Sequence, residues 1–108
     1  MAEFKETTVD DLFGNKIEIS ANRWKHILEQ HPEILPYLEN IKRTIKEPDV
    51  IKLSVSDKLV RMYYRFFPSI LGGKYLLVVI KTNKRNFVVT TYITDYIKTG
   101  EEIWKRRS

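Results

Sequence analysis

The chain has 108 residues, of which 43% are hydrophobic and 12% aromatic, and it contains no cysteine. That length supports one hydrophobic core and not two, so a single domain over 1–108 is expected; a disulfide framework, a thiolate nucleophile and a cysteine metal site are all excluded. The formal charge of +5 favours a polyanionic partner, but Lys105, Arg106 and Arg107 carry three of those charges in a basic C-terminal tail (105–108), and without them +2 remains.

Met1 to Glu6 lacks an apolar segment, and the longest apolar run, Tyr75 to Ile80, is far too short to cross a bilayer. A soluble cytoplasmic protein without a membrane partner is the expectation. Glu3 to Asn15 mixes charges with isolated apolar residues. Gly14-Asn15 then turns into Lys16-Ile17-Glu18-Ile19, a short alternating strand.

Ser20 to Pro36 holds both histidines and two of the four prolines. Ser20 is a good N-cap, and Trp24, Ile27, Leu28 and His31 recur at three and four residues until Pro32 forbids continuation, which predicts a short amphipathic helix. Arg23, His26 and Gln30 line its polar side and place a titratable imidazole beside a cation. The two histidines are turned roughly 140° from each other, so they do not form a helical metal pair. His31 reads as a helix cap or core residue, and His26 as either an exposed bystander or a general acid or base.

Pro36 suits the first turn of a second helix, in which Leu38, Ile41 and Ile45 recur until Pro48. Strands follow. Val50 to Val55 alternates, Ser56-Asp57-Lys58 turns, and Leu59 to Phe67 places Arg61, Tyr63 and Arg65 opposite Val60, Met62, Tyr64 and Phe66. Pro68 to Gly73 is a loop, and Lys74 to Thr82 is the most hydrophobic segment and the expected central strand. Asn83 to Asn86 turns into a strand over Phe87 to Thr94, and Asp95 to Lys105 reads as a loop or helical turn that docks Ile103 and Trp104 back onto the body. The fold class is therefore α+β: a short N-terminal strand, two helices, then a four-stranded antiparallel sheet with helices packed on one face.

The other sheet face is then free to be a site. Thr90, Tyr92 and Thr94 share one side of their strand, and Lys81 ends the row of Tyr75, Leu77 and Val79. Acidic residues are scattered, so no paired-carboxylate recipe is visible, and Gly72-Gly73 is an ordinary turn and not a phosphate loop. Imidazole, cations, phenols and hydroxyls without acid clusters suit RNA cleavage without metal or other cofactor, in which a base removes the 2′-hydroxyl proton, an acid protonates the leaving oxygen and cations stabilise the phosphorane. Against it stands the bland reading of Arg and Tyr alternating on a strand as a solvated, cross-strand-packed face.

Taken together, Arg23-Trp24-Lys25-His26-Ile27, His31-Pro32-Glu33, Tyr63-Tyr64, Tyr75 to Lys81, Phe87 to Thr94 and Lys98 to Trp104 resemble the BECR superfamily, named for barnase, EndoU, colicin nucleases and RelE, and within it the phage barnase-like nucleases. The similarity spans Ile17 to Trp104. It implies a metal-independent RNase with a helical N-terminal part and a four-stranded antiparallel sheet, and its motif positions map onto Arg23, His26, His31, Lys81, Thr90, Tyr92 and Thr94. Thr91 stands where the family usually has alanine, and it should face the core.

The expected function is RNA endonuclease, a toxin-like RNase. His26 is general base or acid, and His31 the alternate acid. Lys81 and Arg23 stabilise phosphate charge; Tyr92, Thr90 and Thr94 position substrate; Arg61, Tyr63 and Arg65 bind it. RNA is the expected partner, with an antitoxin or immunity protein beside it. The alternative is a non-catalytic nucleic-acid or protein-binding module of the same fold, such as one component of a toxin and antitoxin pair.

Overall fold

The computed structural model describes residues 5–107. Met1 to Phe4 and Ser108, which include the start of the mixed N-terminal stretch and the last residue of the basic tail, lie outside the described residues. Strands β1 (Thr7–Asp10) and β2 (Lys16–Ile19) form a hairpin, closed by a turn in which Gly14 takes φ +83°. Helix α1 (Ala21–Gln30), a six-residue 3₁₀ helix (Pro32–Tyr37) and helix α2 (Leu38–Lys46) follow. Strands β3 (Val50–Leu53), β4 (Val60–Phe67), β5 (Lys74–Lys81), β6 (Asn86–Thr94) and β7 (Glu102–Lys105) complete the chain.

The fold is α+β, as expected, but its sheet is seven-stranded and mixed, not four-stranded and antiparallel. The order is β1-β2-β6-β5-β4-β3-β7. The four predicted strands form its antiparallel middle, with β5 at the centre. β2 joins parallel to β6, touching it at Ile17↔Asn86 and Glu18↔Phe87. β1 escaped the sequence reading because Val9 is its single apolar residue, so hairpin pairing and not periodicity makes it a strand. β7 replaces the predicted loop or helical turn: pairing with β3 satisfies its backbone, and Trp104 opposite Ile51 packs against the core.

The local signals at α1 hold. Ser20 Oγ accepts from the Arg23 amide at 3.0 Å, and the His31 amide closes the last turn on the Ile27 carbonyl at 2.7 Å before Pro32 ends the ladder. Pro36, expected in the first turn of α2, instead lies inside the 3₁₀ helix, and α2 starts at Leu38.

The main core lies between helices and sheet. Trp24, Ile27, Ile34, Ile41 and Ile45 meet Leu76, Val78 and Ile80, together with Tyr63 and Phe67. Each fully buried aliphatic side chain contributes about 1.5–3 kcal/mol. Thr91 is buried on this side, as expected, and donates to the Leu77 carbonyl at 2.7 Å.

The opposite face is not simply free. Residues 95–101 leave the end of β6 and cross β5, β4 and β3 to start β7 on the far side. This strap sets Ile97 against Tyr64, Leu77 and their neighbours. The Lys98 amide donates to the Tyr64 hydroxyl, and the Leu53 amide to the Glu101 carbonyl. Gly100 is required where the strap reaches β3, because a Cβ there would come within 2.5 Å of the Leu53 oxygen. The first two residues of the basic tail are also tied down: Lys105 pairs with Val50, and Arg106 bonds Asp49 through its backbone and, at 2.7 Å, its guanidinium.

Candidate functional site

Beyond Phe87, β6 has α1 and the 3₁₀ helix along its edge in place of a strand. The C-terminal end of α1 can therefore carry a side chain round that edge to the strap face. His31 does this: its ring stacks on Tyr92 with centroids 5.2 Å apart and planes at 25°. Its Nδ1 lies 3.4 Å from the Glu33 carboxylate, both side chains being partly exposed. A carboxylate at Nδ1 favours the tautomer protonated there and leaves the Nε2 lone pair for chemistry.

Lys98 approaches Tyr92 from the strap. Its ammonium donates to the Tyr92 hydroxyl oxygen at 3.2 Å and lies 5.9 Å from the ring centroid. That hydrogen bond, with the electrostatic pull of the same phenol, raises the Lys98 pKa above the ordinary lysine value, so the exposed ammonium stays charged. Tyr64, held under the strap, has its phenol pKa raised chiefly by burial and stays neutral. The result is an imidazole with a carboxylate behind it, a phenol and a fixed cation within one small area.

The other predicted residues are dispersed. His26 is exposed on α1 and has no polar partner among the described residues. Arg23 lines a shallow cleft of about 300 Å³ with Glu18, Arg85 and Phe87 at the opposite end of β6. There Arg85 and Glu18 form a two-pronged ion pair that lowers the Glu18 pKa. Lys81 pairs with Asp57 at 3.3 Å. It stands opposite Phe87 while Leu77 stands opposite Tyr92, which puts it about 13 Å along the sheet from the tyrosine.

Arg61, Tyr63 and Arg65 fall on the helix-covered face, away from Tyr92. Tyr63 is 1% exposed and donates to Asp11 Oδ2 at 2.7 Å, while Arg65 reaches the Glu47 carbonyl and Asp49. Thr90 and Thr94 keep the predicted side of β6, paired with Val79 and Tyr75. The Thr90 hydroxyl is buried without a hydrogen-bond partner among the described residues, and the Thr94 hydroxyl donates to the Tyr96 carbonyl. Thus His31 and Tyr92 meet, and His26, Arg23 and Lys81 do not join them.

Lys98 was missed as a site residue, although it opens the Lys98 to Trp104 motif. Its one local signal is an exposed cation between Ile97 and Gly100, which does not tell where the strap goes. Glu33 was within reach, two residues from His31 and joined to it by proline. Among the described residues no three His, Cys, Asp or Glu side chains gather as a metal site, and no helix is long and apolar enough to cross a membrane.

Compared with known families, residues 2–108 match the model described as phage-Barnase-EndoU-ColicinE5/D-RelE like nuclease2. The chain belongs to this family of nuclease-like proteins. Membership covers the whole described fold, so the His31, Tyr92 and Lys98 cluster sits in a phage barnase-like nuclease domain. No curated protein and no solved structure matches the chain.

Proposed function

We propose that this phage barnase-like nuclease is a metal-independent RNA endonuclease that cleaves by transphosphorylation at His31, Tyr92 and Lys98. The carrying observation is the convergence on one phenol of a stacked imidazole and an ammonium, with a carboxylate on the far side of the imidazole. His31, and not His26, is the base. Its Nε2 takes the 2′-hydroxyl proton, the 2′-oxygen attacks phosphorus, and the bond to the 5′-oxygen breaks to leave a 2′,3′-cyclic phosphate.

Lys98 stabilises the charge that builds on the non-bridging oxygens. Tyr92 gives its proton to the departing 5′-oxygen, and the adjacent ammonium stabilises the phenolate left behind. Thr94 and Thr90 support the strand that carries Tyr92. DNA has no 2′-hydroxyl and resists this route. A protein of this kind is toxic to its own cell, which makes an antitoxin or immunity protein the natural second partner.

The test is incubation of purified protein with labelled single-stranded RNA and the matching DNA in EDTA. RNA-only cleavage with cyclic-phosphate ends is expected, reduced about 10²- to 10⁴-fold in His31→Ala and unchanged in His26→Ala. Loss in His26→Ala with full activity in His31→Ala would return the base to His26. A folded protein that binds RNA in a salt-dependent way but never cuts it would be a binding module instead.

A further inference from the structure

Tyr64, Leu77 and Tyr92 form one cross-strand row on the strap face, and two residues along, about 7 Å away, runs a second row of Phe66, Tyr75 and Thr94. Two of its three residues are aromatic, Phe66 exposed and Tyr75 partly buried. The Phe66 ring meets Tyr75 edge-on at 5.3 Å and 69°, and Tyr75 meets Tyr64 at 6.4 Å and 89°. Phe66 lies against the turn at Gly73, where an added Cβ would come within 2.8 Å of the ring. The ring is held from behind, yet Phe66 remains 42% exposed.

Tyr96, 64% exposed, stands at the start of the strap beyond Thr94. Its carbonyl accepts from the hydroxyl of Thr94, which ends the second row, so Tyr96 continues from that row into the strap that carries Lys98. The strap covers Tyr64 and Leu77 through Ile97, and the Lys74 and Asp95 ion pair borders the second row. Large aromatic rings left exposed beside a charged ammonium mark a ligand that brings both a π-face and an anion.

We propose that Phe66, Tyr75 and Tyr96 form a stacking platform for a base of a single-stranded polynucleotide, next to the phosphate held at Lys98. The proposal rests on the nucleic-acid reading of the site but not on turnover. Bases in a duplex are stacked on each other and cannot lie on these rings, so the platform selects single strands. Base stacking on an aromatic side chain changes affinity by roughly ten- to a hundred-fold, with little regard for which base is present.

Fluorescence anisotropy with a short single-stranded oligothymidylate tests it, because that probe carries bases and phosphates but no 2′-hydroxyl. An abasic oligomer of equal length controls for phosphate contacts alone. Tyr96→Ala and Phe66→Ala are each expected to weaken oligothymidylate binding about ten-fold, and wild-type protein should bind the abasic oligomer no better than the variants do. Tyr96 is exposed enough that its variant will fold even if Phe66→Ala does not. Binding indifferent to Tyr96→Ala, or equal affinity for the abasic oligomer, would overturn the platform while leaving RNA cleavage to stand on its own assay. Tyr96-dependent binding in a protein that cuts no RNA would support the platform and remove the nuclease mechanism.

Discussion

Tyr63→Phe separates structure from substrate binding at a residue that the sequence placed among the RNA contacts. The substitution keeps the ring, so the packing of a side chain only 1% exposed is preserved and no cavity opens. It deletes the 2.7 Å hydrogen bond to Asp11. A hydrogen bond to a charged group contributes about 1.5–3 kcal/mol. Asp11 keeps the Phe13 and Asn15 amides at 2.9 and 2.8 Å, so the loss belongs near the lower end, about 2 kcal/mol. For a chain of this size that lowers Tm by roughly 8–15 °C, readable by circular dichroism.

RNA cleavage at a temperature where the variant is folded should be unchanged. A pH signature accompanies it. Burial first, and then Asp11, raise the folded Tyr63 pKa well above the ordinary tyrosine value. The folded state thus holds the phenol proton where the unfolded chain has released it, so this stabilisation is complete below about pH 10 and is lost as pH rises further. The Tm difference between wild type and Tyr63→Phe should therefore narrow above pH 10. A variant with wild-type Tm that cuts or binds RNA poorly would refute the reasoning and restore Tyr63 as a substrate contact.

Gly100→Ala drives a Cβ towards the Leu53 carbonyl and should cost about 1–3 kcal/mol. Since the displaced strap carries Lys98, cleavage should fall together with Tm, and an unchanged melting curve would contradict the close approach. Lys98→Met keeps most of the side chain's length and removes its charge; cleavage should drop about 10²- to 10³-fold with Tm nearly constant. The salt slope of oligothymidylate binding should also shrink by about one phosphate contact. Glu33→Gln leaves a neutral amide at Nδ1 of His31, and kcat should fall about ten-fold while oligothymidylate affinity is unaltered.

Several structural features were legible because their causes are local. Ser20 caps α1, Ile41 and Ile45 are buried at the predicted helical spacing, and Leu76, Val78 and Ile80 alternate with Tyr75, Leu77 and Val79 across β5. Val55 marks the limit of such reading: alternation extended its strand to that residue, but β3 stops at Leu53 and Val55 is 86% exposed. Thr91 was assigned to the core side correctly, for the same reason of parity. Arg61, Tyr63 and Arg65 were grouped correctly on one side too, but parity does not say which side the helices will cover. The helices chose theirs.

The sequence by itself therefore determined the periodic elements, the central place of β5, the absence of cysteine chemistry and, through its motifs, the nuclease family. Those follow from spacings of two to four residues and from composition. Tertiary structure alone decided that β1 and β7 become sheet edges, that the strap crosses the open face, and that His31 meets Tyr92 and Lys98 and not Lys81. His31 and Tyr92 lie sixty-one positions apart in the chain. Their meeting depends on how far β2 runs along β6 and on which face receives α1, and both are set by non-local pairing and burial, which no local spacing encodes.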